Sequence, residues 1–183
     1  AGEVPVPECA PLTGKRIAVI GGGPSGLSAA YYLQLMGHQV TVYEKRKRLG
    51  GMLLYGIPSY RLPRERLQED VNAILSTGVE VKMDTTIGGE NGEISMQDLR
   101  ENYDAVYISI GAHTDKKMEI EGEDSMGVIS AVEMLREVGR NRMPDFKGKR
   151  VVVIGGGNVA MDCTRSAVRL GAEKVTCVYR RRK

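Results

Sequence analysis

The chain has no tryptophan and a single phenylalanine, and aromatic residues make up 5 % of its 183 residues. That leaves little material for a nucleic-acid surface built on stacked rings, and no nucleic-acid partner is expected. It has three cysteines, Cys9, Cys163 and Cys177, with no Cys-x-x-Cys pair. An odd count at these spacings argues against a disulfide scaffold, a zinc ribbon, a redox dithiol or a metal cluster held by this chain alone. No stretch approaches the roughly 18 consecutive apolar residues of a membrane helix, so no membrane association is expected. Residues 1–11 show no basic stretch leading into an apolar run, as a secretory signal would. A reducing, cytoplasmic setting is the expectation.

What is present suffices for a core. Apolar residues reach 42 % against 27 % charged, which places the chain among globular domains. The net charge of +3 is unevenly spread. Lys45-Arg46-Lys47-Arg48 and Arg180-Arg181-Arg182-Lys183 hold 8 of 26 basic residues, and the remaining 18 face 23 acidic ones. Both basic runs sit at equivalent places in an internal repeat.

Gly14-Lys15-Arg16-Ile17-Ala18-Val19-Ile20-Gly21-Gly22-Gly23 recurs as Gly148-Lys149-Arg150-Val151-Val152-Val153-Ile154-Gly155-Gly156-Gly157. A helical stretch follows each copy, closing at Gly37 and Gly171, and then an apolar run: Val40 to Glu44, and Val175 to Arg180. With one residue inserted in the second run, Tyr43 aligns with Tyr179 and Glu44 with Arg180. Each copy reads strand, glycine turn, helix, strand, which is a βαβ unit. Two distant copies indicate two related nucleotide-binding folds rather than a solenoid.

Between them, Pro63 to Thr77 carries apolar residues at helical spacing, Val79 to Met83 alternates as a strand does, and Ser95 caps a short helix to about Asn102. Asp104 to Ile110 suits a buried parallel strand, and Ser130 to Val138 a further helix. Strands alternating with helices predict an α/β class with parallel sheets: a Rossmann-like domain followed by the first βαβ unit of a second one.

The spacing Gly21-x-Gly23-x-x-Gly26 after an apolar strand fits a dinucleotide turn. The first glycine permits the turn, the second admits a pyrophosphate, and the third lets helix and strand pack closely. The helix N-terminus offers N–H groups and a dipole to the phosphates. Glu44, ending the next strand, accepts from ribose hydroxyls. The second turn, Gly155-x-Gly157-x-x-Ala160, is the Gly-to-Ala variant. With Arg180 in place of Glu44, its guanidinium suits a 2′-phosphate. An unphosphorylated ribose is expected at the first turn and a phosphorylated one at the second.

The run Leu49-Gly50-Gly51-Met52-Leu53-Leu54-Tyr55-Gly56-Ile57-Pro58-x-x-Arg61-Leu62-Pro63, following Glu44, resembles the small (β) subunit family of NADPH-dependent glutamate synthase. That family is related to the N-terminal half of dihydropyrimidine dehydrogenase and to the large subunit of NADH-dependent ferredoxin:NADP oxidoreductase. Asp104 to Ala112 resembles its strand returning under the flavin, and Gly155 to Cys163 with Val178-Tyr179-Arg180-Arg181 resembles its NADPH unit. The resemblance implies an NADPH-dependent flavin oxidoreductase. FAD would lie on Gly21, Gly23, Ser25, Gly26, Glu44, Gly51, Leu53, Arg61 and Gly111. NADPH would lie on Gly155, Gly157, Asn158, Val159, Arg180 and Arg181. In such enzymes hydride passes from the nicotinamide to the flavin without a side-chain acid or base, so no catalytic residue is nominated.

The family carries an iron–sulphur domain that a lone Cys9 cannot supply. Clusters are therefore expected on another domain or on a partner resembling the glutamate synthase large subunit. The disulfide-reductase class is disfavoured, because its dithiol has no counterpart. His38 and His113 form no catalytic or metal constellation, and no metal site is expected. The expected organisation is a linker over 1–14, an incomplete FAD domain with a connector helix over 15–146, and a truncated NADPH domain over 147–183. A truncated second unit would expose strand edges and could pair with another copy. The alternative function is a nucleotide-binding or interaction fragment without turnover of its own.

Overall fold

The computed structural model describes residues 7–90 and 92–180. Arg181, assigned above to NADPH, lies outside them. By its contacts the chain forms two compact units. The first runs to Leu54 and resumes over Pro63–Gly111; the second comprises Tyr55–Leu62 and the chain from Ala112 onward. The expected boundary near residue 146 does not coincide with this division. Ser130 to Val138, read as a connector, packs with the second unit.

Through the first unit the chain follows β1 (Arg16–Ile20), α1 (Pro24–Leu35), β2 (Gln39–Tyr43), α2 (Met52–Tyr55, whose last residue belongs to the second unit), α3 (Arg64–Leu75), β3 (Glu80–Lys82), α4 (Met96–Asn102) and β4 (Ala105–Ile108). The strands are all parallel in the order β3-β2-β1-β4, the doubly wound arrangement expected. The β1 and β2 strands lie between neighbours, and both bury every residue but their first. Ala18, Ile20 and Tyr43 pack with Leu99 of α4 on one face. Strand alternation turns Val19 and Val42 to the other face, which α1 covers. The α4 helix starts in a capping box: Ser95 Oγ accepts from Asp98 N–H at 3.0 Å, and the Asp98 carboxylate accepts from Ser95 N–H at 2.8 Å.

The β4 strand corrects one expectation. It is parallel, pairing with β1, but it is not buried: Tyr107, Ile108 and Ile110 are exposed. It is the outermost strand of this order, and α4 shields Val106 but not the strand's later residues. Residues 10–13, before β1, are docked on the first unit. Ala10 N–H donates to Leu35 O at 2.8 Å and Thr13 N–H to Gly37 O at 3.0 Å, tying them to the end of α1.

The second unit follows α5 (Ala131–Gly139), β5 (Arg150–Ile154), α6 (Asn158–Arg169) and β6 (Lys174–Val178). Strands β5 and β6 are parallel. Met134 and Leu135 of α5, Phe146, and Cys163 and Ala167 of α6 form a core against Val151, Val153 and Val175. The opposite sheet face leaves Val152, Ile154 and Val178 exposed.

Candidate nucleotide-binding sites

The first turn is a closed assembly of backbone. Gly21 takes φ +107°, and a side chain there would overlap Ser109 O of the β4 end. A side chain at Gly26 would overlap Gly21 O, so α1 can approach β1 this closely only through glycine. Ser109 Oγ donates to Ile20 O at 2.9 Å, pinning the turn from the next strand. Gly23, by contrast, has open space where a side chain would be, apart from Gly51 Cα at 3.8 Å. Gly23 caps α1 without a side-chain hydrogen bond, and Pro24 follows. The N–H groups of Ser25 and Gly26 therefore lie in a first turn that has no intrahelical acceptors. Such an arrangement can receive an anion.

Around it the structure gathers most of the residues expected. Gly50 N–H donates to Gly22 O at 2.8 Å, bringing Gly51 against Gly23. The buried Glu44 carboxylate accepts from Gly22 N–H at 2.8 Å and from Arg46 N–H at 2.9 Å. The acid is thus anchored by two amides, and each oxygen keeps a further lone pair for a ribose hydroxyl. Leu53 O accepts from Arg64 Nη1 at 3.0 Å, and Ser25 Oγ shares a 3.1 Å hydrogen bond with Tyr107. Burial, with Arg48 nearby, lowers the Arg64 pKa. Gly111 follows β4 with φ +67°. Sequence reasoning nominated neither Ser109, which lies unremarked within the Asp104–Ala112 run, nor Arg64, which falls just past the run ending at Pro63.

Arg61 falls in the second unit, where Nη1 binds Asp162 Oδ2 at 2.7 Å. Asp162, on α6, is 6 % exposed and also meets Arg165 at 3.4 Å. The neighbouring Tyr60 donates to Asp162 O at 3.3 Å, and Arg169 lies 3.9 Å from the centre of its ring. Asp162 is therefore the anchor of the Tyr55–Leu62 segment.

The second turn repeats the first with a looser fit. Gly155 takes φ +132°, and a side chain there would meet Ala160 Cβ at 3.3 Å, so alanine suffices at the third position. Gly157 caps α6 with nothing within 4 Å of a side-chain position, and Asn158 and Val159 open the helix. Gly156, Gly157, Asn158 and Val159 are exposed.

The ladder corrects the alignment of the two copies. Ile20 lies opposite Tyr43, and Ile154 opposite Val178. Gly21 N–H donates to Tyr43 O at 2.8 Å, and Gly155 N–H to Val178 O at 2.9 Å. Tyr43 thus corresponds to Val178, and Glu44 to Tyr179 rather than to Arg180. The extra residue of the second copy lies in the turn between α6 and β6, not within the strand. Arg180, exposed, stands one place later.

Among the described residues no cluster of three or more His, Cys, Asp or Glu is placed to hold a metal ion, and no helix is long and apolar enough to cross a membrane. Residues 15–183 match the family described as pyridine nucleotide-disulphide oxidoreductase. The chain belongs to that family. The expectation that disfavoured the disulfide-reductase class is corrected at this level, for membership follows the nucleotide-binding fold and not a dithiol. The three cysteines are free, and burial pushes the Cys163 thiol up to about 11.

Within the family the chain is 46 % identical, over 99 % of its length, to the NADP(+)-dependent formate dehydrogenase subunit beta of Moorella thermoacetica, covering 26 % of that protein. It is 46 % identical over 93 % of its length to the NADPH-Fe(3+) oxidoreductase subunit beta of Geobacter sulfurreducens, again covering 26 %. The glutamate synthase (NADPH) small chain of Escherichia coli is 38 % identical over 92 % of the chain, which covers 37 % of it. The resemblance to that small chain is thereby borne out. The chain spans about a quarter of the first two relatives. Among solved structures, Mycobacterium tuberculosis FprA in complex with NADPH matches with TM-score 0.78 and 26 % identity, over 91 % of this chain and 44 % of that one.

Proposed function

We propose that this chain is the FAD- and NADPH-binding portion of an oxidoreductase, with FAD at the first glycine turn and NADPH at the second. Electrons would pass onward to iron–sulphur centres on another domain or subunit. The observation that carries this reading is the repeat itself: two strand–turn–helix–strand units, each with an open glycine capping a helix whose first turn offers free N–H donors. Relatives named for NADP or NADPH, and a solved neighbour in complex with NADPH, support the choice of nucleotide. Two of those relatives are named beta subunits and one a small chain, which supports a partner subunit.

The residues at the first turn fit a dinucleotide. The space at Gly23 and Gly51 would accept a pyrophosphate, the α1 N-terminus would offset its charge, and Glu44 would hold a ribose. A flavin supplies hydride acceptance there when bound. The protein's part is binding and orientation, and no side-chain acid or base is assigned. At the second turn, Gly157 and the start of α6 would take the pyrophosphate, and Arg180, with Arg181, the 2′-phosphate.

Titration of the protein with NADPH and NADH tests the reading. NADPH should bind more tightly, and Arg180→Ala should weaken it by about 1–3 kcal/mol while leaving NADH nearly unchanged. Equal losses for both nucleotides would overturn the assignment of Arg180.

A further inference from the structure

Resting on that reading of the second turn, we propose that Tyr179, alongside Arg180, sets its nucleotide preference. It occupies the place of the ribose-binding carboxylate and prevents an unphosphorylated ribose from being anchored there. Three observations place it. The β5–β6 register and the bond from Gly155 N–H to Val178 O make Tyr179 the positional equivalent of Glu44. In the first unit that position covers the middle glycine of the turn, Glu44 reaching Gly22 N–H at 2.8 Å. In the second unit the same place above the middle glycine is filled by the Tyr179 ring, whose carbons lie 2.5–2.7 Å from where a side chain on Gly156 would begin.

The substitution changes the chemistry of that place in two ways. A carboxylate accepts two ribose hydroxyls and repels a phosphate; a tyrosine ring carries no charge and offers no paired acceptors. The half-exposed ring also supports the turn from above, so the chain leaves β6 and delivers Arg180 directly beyond it. Arg180 supplies attraction to the 2′-phosphate, while Tyr179 removes the group that would reward its absence. Specificity built from both an attraction and an exclusion is stronger than from either alone.

The test compares Tyr179→Glu with Tyr179→Gln by fluorescence titration of NADPH and of NADH, with far-UV circular dichroism confirming that each variant folds. Both variants lose the ring, so both should weaken the two nucleotides. Only Tyr179→Glu restores the acid, and it alone should shift the NADPH-to-NADH affinity ratio, by at least about tenfold toward NADH. Equal ratios in the Glu and Gln variants would overturn the proposal while leaving NADPH binding at this turn standing. A wild-type protein that binds NADH as tightly as NADPH would instead overturn the reading of the site, and this inference with it.

Discussion

The two glycine turns share a backbone grammar and differ in what lies over it. At the first, a carboxylate and a leucine close over Gly22, and the third glycine is compressed against the carbonyl of the first. At the second, an aromatic ring covers Gly156, alanine fits at the third position, and four successive residues stay exposed. The repeat thus keeps an open glycine at the start of each helix while the residue after the second strand differs, Glu44 in one copy and Tyr179 in the other. On the proposed reading, the spacing of glycines provides for a dinucleotide and the cover selects which one.

The contrast between third positions is the sharpest way to break this account. Gly26→Ala should destabilise the first unit by about 3 kcal/mol, because its methyl group would overlap a backbone carbonyl that cannot move aside. The reverse change in the second unit, Ala160→Gly, should cost only about 1 kcal/mol. Denaturant melts of the two variants check both figures. Similar losses would mean that the two turns are packed alike.

The cover of the first turn comes next. Glu44→Ala leaves the buried Gly22 N–H without its acceptor and should cost about 1–3 kcal/mol, together with the ribose contact. Tyr179→Ala, at the equivalent place, removes no hydrogen bond from the turn and should be milder. Asp162→Ala releases Arg61, and should cost about 1–2 kcal/mol, since its buried carboxylate is paired with a half-exposed guanidinium. Proteolysis in the Tyr55–Leu62 segment should accelerate in that variant.

The smallest expected effect is a pH dependence at the start of β1. Asp104 accepts from Arg16 N–H and binds Lys15 Nζ, each at 2.8 Å, and these hold its carboxyl below the usual range. Its folded pKa is depressed, so its contribution is present above the unfolded carboxylate value of about 3.9 and fades as pH falls through the folded one. The Lys15 pKa is raised by the same partner, so on the alkaline side the contribution is complete below the unfolded lysine value and fades as pH rises through the folded one. Asp104→Asn should therefore flatten the acid limb of stability against pH by lowering the neutral plateau slightly, leaving the acid end unchanged.

Much of this architecture was legible because it is local. Two glycine spacings, each after an apolar run, placed β1, α1, β5 and α6, and Ser95 with Asp98 marked the start of α4. What escaped depends on pairing across the chain. Tyr43 and Tyr179 look like a match in sequence, yet the ladder sets Val178 opposite Ile154, because the extra residue is absorbed in a turn and strand register tolerates no slip. Arg61 reads as a flavin residue from its neighbours; its pairing with Asp162, 101 residues away within the second unit, could not be read from them. The exposure of β4 was equally hidden, since an apolar run does not say whether its strand lies at a sheet's centre or edge.

On the proposed reading the first turn takes a flavin dinucleotide, distinct from the nicotinamide nucleotide at the second. The most direct measurement is chromatographic identification of the nucleotide released when the purified, flavin-saturated and desalted protein is denatured. FAD at close to one per chain, lost in Gly26→Ala and retained in Tyr179→Glu, is the predicted result. Stoichiometric NAD from the first turn, or FAD lost equally in both variants, would contradict it.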